Sequence, residues 1–163
     1  METVLSFTDN GLLTPNEAIE VTTSIFYERF VALFSNSSTR VQLFNEWLKY
    51  NKLLRSEIGQ DFVQWIDGSF VTLKQNPKDI DLVSFIPYQL YNLHHHVLDN
   101  LWSDKWEREG LDAYFVTVYP ENHPAFTHKT KQDREQWMTR YSLTKPDDTF
   151  VQHSKGFLTI QIQ

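Results

Sequence analysis

Hydrophobic positions in this chain follow two periods. Phe26, Phe30, Leu33 and Phe34 recur at helical spacing. A second helical stretch runs from about Thr39 to Ile58, with Val41, Phe44, Leu48 and Leu54 on one face and Gly59 as its stop. A third covers Gln89 to about Arg108, with Leu93, Val97, Leu101 and Trp102 as apolar contacts and Gly110 closing it. Lys131 to Tyr141 reads as a short helix carrying Arg134, Trp137 and Arg140; its arginines could clamp a nearby phosphate bidentately or pair on the surface with Asp133 and Glu135 beside them. Strand signals fall at Phe62–Ile66, at Asp79–Ile86 up to Pro87, at Asp112–Tyr119 and at Gly156–Ile162. Val4–Phe7 reads as a short edge strand, with Asp9-Asn10-Gly11 as the turn after it. Thr14-Pro15-Asn16-Glu17 matches a capping box and predicts a helix start, with a break and restart at Val21-Thr22-Thr23. Loops are expected at Ser35–Thr39, Pro120–Lys129 and Val151–Lys155, and a turn at Thr144–Asp148. The expected fold is α/β: one domain over residues 1–163, with N-terminal helices in 1–60 and a mixed sheet with flanking helices in 61–163.

Composition narrows the function classes. A chain of 163 residues that is 40% hydrophobic and 15% aromatic has the material for a core and is not a disordered segment. With no cysteine, disulfide scaffolds and Cys-ligated zinc are excluded. The net charge of −6 argues against a broad nucleic-acid-binding surface. No apolar run approaches the ~18 residues of a membrane span. The first residues lack the basic start and apolar run of a signal peptide, so the expected location is cytoplasmic. His94-His95-His96 point in different directions on a helix and read as surface residues, and the spacing of His123 and His128 fits no common metal motif.

The informative chemistry lies between Trp65 and Ile86. Alternation along a strand puts Asp79 and Asp81 on one face, about 7 Å apart along the backbone, and turns Ile80 into the core. Two such carboxylates can share one or two divalent cations, and oxygen-only ligands favour Mg²⁺ or Mn²⁺. Gly68-Ser69 turns the chain beside them. Glycine lets backbone approach a phosphate, and serine adds a hydroxyl and an N–H. Phosphate donors on one side and metal-binding carboxylates on the other suit a nucleoside triphosphate, with Lys74 as an additional phosphate contact.

Gly68-Ser69 after an apolar strand, with Asp79-Ile80-Asp81-Leu82 opening another ten residues after the serine, resembles the nucleotidyltransferase superfamily that has the DNA polymerase beta-like catalytic core. The wider run from Gly68 to Asp81, with Lys155-Gly-Phe-Leu-Thr-Ile160, also looks like a bacterial family of unknown function within that superfamily. The resemblance implies a third carboxylate on a later, neighbouring strand, for which the candidate is Asp112. It implies that Asp79, Asp81 and Asp112 hold Mg²⁺ or Mn²⁺ and act in catalysis, while Gly68, Ser69 and Lys74 contact the phosphates. The implied reaction moves a nucleoside monophosphate from an NTP to a hydroxyl of an acceptor: a protein side chain, an RNA end or a small molecule. A toxin–antitoxin or phage-defence setting, with a protein partner, follows from the same resemblance. The short spacer after Gly-Ser predicts that the family's small helix there is shortened or replaced by a turn. An alternative stays open: a catalytically inactive module on this fold that binds a nucleotide or a protein. A D-x-D glycosyltransferase would also hold a metal-bound diphosphate but leaves Gly-Ser unexplained.

Overall fold

The computed structural model describes residues 5–101 and 104–163. Strand β1 (Ser6–Phe7) pairs antiparallel with β2 (Leu13–Thr14), closed by a turn in which the Gly11 N–H bonds Thr8 O at 2.8 Å. Val4, expected in the first strand, lies outside the described residues.

The expected helix at Thr14–Glu17 does not form. Thr14 Oγ1 bonds Ser6 Oγ at 2.7 Å instead of capping a helix. Ala18–Glu20 is strand β3, and the Glu17 carbonyl accepts the N–H of Phe157. The final strand thus supplies the backbone partners that a helix would have supplied internally, and Ile19 is buried as a result. Helix α1 (Thr23–Phe30) begins at the expected break: Thr22 caps it, its side chain accepting the N–H of Ile25. Leu33, expected on the buried stripe, is exposed in a short 3₁₀ turn (Ala32–Phe34).

Helix α2 (Arg40–Ile58) ends on Gly59 at φ 70°, as expected. Its buried stripe is Leu43, Trp47, Tyr50, Leu54 and Ile58, joined by Phe44. Val41 and Leu48, expected on the core face, are 56% and 41% exposed. The bulky rings at 44, 47 and 50 decide which side turns inward, because they remove the most apolar area from water.

Strands β4 (Phe62–Asp67), β5 (Ile80–Pro87), β6 (Leu111–Val118) and β7 (Phe157–Ile162) join β3 in a five-stranded mixed sheet of order β3-β7-β4-β5-β6. β4 is antiparallel to both β5 and β7; the outer pairs β3–β7 and β5–β6 are parallel. One face carries Ile66, Ile80, Leu82, Ile86, Leu158 and Ile160 into the main core under α1, α2 and α3 (Tyr88–Leu101). Within that core, Trp47 Nε1 donates to Gln64 Oε1 at 2.6 Å, and Gln64 Nε2 donates to Ser84 Oγ at 2.8 Å. Such a satisfied polar chain ties α2 to β4 and β5 in one register.

The third helical stretch is seen as α3 and, beyond residues 102–103, which lie outside the described residues with the expected Trp102 contact, as α4 (Asp104–Arg108). Leu98, Leu101 and Trp106 are buried, while Leu93 is 73% exposed. His95 and His96 are exposed, as surface histidines are expected to be. Gly110 follows α4 at φ 85°, and its carbonyl accepts the N–H of Ile80.

The opposite face of the sheet is covered by α5 (Gln132–Tyr141), entered through a π-helical segment, Phe126–Lys131, where a loop was expected up to Lys129. Val83, Phe85, Val116, Tyr141 and Phe157 form a second, smaller core there. The expected surface pairing of Arg134 and Arg140 with Asp133 and Glu135 is not formed among the described residues. Arg134 lies over the Phe85 ring, and Arg140 over the rings of Tyr114 and Trp137. Planar guanidinium groups on aromatic faces combine cation–π attraction with stacking.

Candidate functional site

At one end of this second face, three aspartates stand side by side. Asp67 pairs with Asp81 across β4 and β5, and Asp81 pairs with Asp112 across β5 and β6. Directly paired residues point to the same side of a sheet, with strands about 4.8 Å apart. Asp79 precedes β5 by one residue and lies two before Asp81. Burial pushes the Asp81 carboxyl up to about 7, and the charges of Asp79, Asp67 and Asp112 add to the effect, with Lys145 opposing it. Crowded carboxylates in partial burial resist ionising together.

Gly68 ends β4 at φ 80° and ψ −167°. A Cβ there would collide with the Asp81 carboxylate, 2.9 Å from its Cγ. Glycine is therefore needed both for the backbone angle and for the close approach to Asp81. Ser69–Val71 follows as a single 3₁₀ turn, the shortened element that the spacer predicts. The loop beyond it is fixed by a residue far upstream. Arg40 is fully buried and donates to the carbonyls of Phe30, Phe70, Thr72 and Lys74 at 2.6–2.9 Å. Burial lowers its guanidinium to about 10, which leaves it charged at neutral pH.

Asp67 is buried against Lys155, whose Nζ also donates to Tyr141 O at 2.9 Å. Burial pushes the Asp67 carboxyl up; the Lys155 ammonium and the Gly68 N–H pull against that rise.

These groups surround a cavity of about 640 Å³. Gly68, Ser69, Lys74, Asp79 and Asp81, all singled out in the sequence, line it together. Lys78, Arg140, Lys145 and Lys155 add cationic groups to its wall. Asp112 lies in the row of aspartates but not in the cavity lining. Two residues on, burial and then the Asp112 carboxylate push the Tyr114 hydroxyl above the usual tyrosine range, while Arg140, which lies over the Tyr114 ring, opposes the rise. Among the described residues, no group of three or more His, Asp or Glu side chains is assembled into a metal cage. The oxygen donors of Asp79 and Asp81 nevertheless fit a hard divalent cation, which would favour the ionised form of Asp81 that burial and the neighbouring carboxylates disfavour.

Sequence reasoning missed Asp67, Lys155, Arg40 and Tyr141. Asp67 sits directly before Gly68, and period-two alternation from Trp65 would have put it on this face. Lys155 stood in the Lys155–Ile160 run without a role assigned to it, and Arg40 and Tyr141 carried no local signal, because their partners are distant in the chain.

The fold and site define a mixed α/β domain with a cavity walled by aspartates and lysines. The chain belongs to a family of unknown function (DUF6932), whose model matches residues 5–161. Neither a curated protein nor a solved structure gives a significant match. Among the described residues, no helix is long and apolar enough to cross a membrane.

Proposed function

We propose that the protein is a metal-dependent nucleotidyltransferase of the superfamily with the DNA polymerase beta-like catalytic core. One observation carries the reading: Asp81 and Asp112 are paired on adjacent parallel strands at the same end of the sheet as Gly68-Ser69, beside a cavity with lysines on its wall. Asp79 and Asp81 would hold Mg²⁺ or Mn²⁺, with Asp112 completing the set. The ion, when bound, supplies charge neutralisation on the triphosphate. Ser69, Lys74, Lys78 and Lys145 meet phosphate oxygens, and Gly68 leaves the room that Asp81 needs. An acceptor hydroxyl attacks the α-phosphorus and forms a new O–P bond. The bond to the β-phosphate oxygen breaks, and pyrophosphate leaves. The hydroxyl proton passes to Asp112. The acceptor class is a protein side chain, an RNA end or a small molecule.

The test is label transfer from each α-labelled NTP, with Mg²⁺ or Mn²⁺ and cell lysate as acceptor. Label moving to a product only with the intact protein, and not with Asp79→Asn/Asp81→Asn, is the expected result.

A second reading, a non-catalytic nucleotide- or protein-binding module, is favoured by one observation: Asp112 is not part of the lining of the cavity that holds Asp79 and Asp81. Nucleotide binding without transfer, unaffected by Asp112→Asn, would establish it. Absence of both transfer and nucleotide binding would move the reading to a protein-interaction domain.

A further inference from the structure

Helix α5 carries two arginines, and the fold sends them to different places. Arg134 lies over the Phe85 ring at 5.4 Å and lines a groove with Val63, Trp65 and Met138. Arg140, in the last turn of the helix, lines the other cavity, together with Gly68, Ser69, Asp79 and Asp81.

Arg140 is held in place by rings. Its guanidinium carbon lies 5.0 Å from the Trp137 ring centroid and 5.5 Å from that of Tyr114. Those two rings, one on α5 and one on β6, are themselves in contact, with centroids 5.0 Å apart. A guanidinium held against ring faces keeps N–H groups around its edge for other partners. Arg140 forms no ion pair with a carboxylate among the described residues, whereas Lys155 is committed to Asp67. Arg140 is exposed, so a solute that enters the cavity can reach it. Its charge also extends to the aspartates, where it opposes the rise of the Asp67 carboxyl. Lys74, Lys78 and Lys145 of the same wall carry point charges on flexible stems. The guanidinium instead presents a planar fork of donors that matches two oxygens of one phosphate. Holding the fork in advance lowers the ordering cost of binding.

We propose that Arg140 is the phosphate clamp of this cavity, its guanidinium donating two hydrogen bonds to phosphate oxygens of a nucleoside triphosphate. The inference rests on the nucleotidyltransferase reading and adds to it a binding residue outside the Gly-Ser and Asp-x-Asp motifs. It also divides the two arginines of α5: Arg140 meets the phosphate and Arg134 does not.

The experiment compares wild type with Arg140→Lys, which keeps the charge and removes the fork. Arg140→Gln, which keeps a planar end group without the charge, gives a second reading, and Arg134→Lys is the control on the same helix. Calorimetric titration with Mg²⁺ and each of the four NTPs, and with Mg²⁺ and inorganic triphosphate, reads affinity. Titrations are run well below the melting temperature of each variant, so that affinity is read on folded protein. The expected result is roughly tenfold weaker binding of both NTP and inorganic triphosphate by Arg140→Lys, a loss at least as large in Arg140→Gln, and wild-type affinity in Arg134→Lys. Equal affinities in wild type and Arg140→Lys would overturn the clamp while leaving the nucleotidyltransferase reading intact. Equal losses in Arg140→Lys and Arg134→Lys would overturn it too, since the effect would not belong to the cavity. Weakening for NTPs but not for inorganic triphosphate would overturn the assignment to phosphate. Wild-type protein that binds none of these ligands would remove the nucleotidyltransferase reading, and this inference with it.

Discussion

Lys155 Nζ is bound to the carboxylate of Asp67, 88 positions earlier in the chain, and both side chains are buried. The pair joins the end of β4 to the segment before β7 and places an anchored carboxylate beside Asp81. Lys155→Met would leave the Asp67 charge buried and uncompensated, at a cost of about 3–5 kcal/mol. Lys155→Met combined with Asp67→Asn should recover much of that loss. Urea denaturation of the two single variants and the double variant measures the coupling. Losses that simply add would mean that the two side chains do not interact energetically.

Asp81 gives the ligand-free protein a defined pH response. Its folded-state carboxyl is raised from 3.8 to about 7, so the folded state holds a proton that the unfolded chain has released. That contribution is fully present below about pH 4 and is lost as pH rises through about 7. Asp81→Asn should remove this slope and stabilise the protein above pH 7 by on the order of 2–4 kcal/mol. Thermal melting between pH 5 and 8 reads both effects; parallel curves for variant and wild type would contradict the assignment.

Divalent cations should act in the opposite sense. Binding at Asp79 and Asp81 needs ionised carboxylates, so stabilisation by Mg²⁺ should grow as pH rises through about 7 and vanish in Asp79→Asn/Asp81→Asn. Differential scanning fluorimetry with and without Mg²⁺ at several pH values tests this. A cation effect of the same size in wild type and double variant would place the ion elsewhere.

Gly68→Ala combines a strained φ of 80° with a contact on the Asp81 carboxylate. The expected loss is about 1–3 kcal/mol, and Asp81 must also shift to make room. Chemical denaturation gives the stability term. The Mg²⁺-dependent melting shift gives the site term and should fall as well. An unchanged cation response would show that Asp81 keeps its place.

Arg40→Lys tests how the Gly-Ser loop is held. An ammonium has three donors on a single atom and cannot serve four carbonyls spread over residues 30–74 as the guanidinium does. A destabilisation on the order of 2–4 kcal/mol is expected. Hydrogen exchange should show the largest loss of protection in residues 69–74, and a uniform loss would argue against a local role.

Much of this molecule was written locally. The positions of α2 and of the strands at Phe62, Ile80, Leu111 and Phe157 followed from side-chain period, because backbone geometry sets which residues share a face. Gly59, Gly68 and Gly110 marked element ends through their positive φ. Tertiary structure decided what depends on partners remote in sequence. Ala18–Glu20 became a strand because β7 offered its edge, and that edge outweighed a local capping pattern. The buried face of α2 turned toward Trp47 and Tyr50 because packing, not average hydrophobicity, selects among overlapping stripes. Asp67, Lys155, Arg40 and Tyr141 gained their roles only when strands β4 and β5 and helix α5 brought them to one cavity or its supporting loop. A charge or hydroxyl acquires its chemistry from burial and neighbours, and neither exists until the chain has folded.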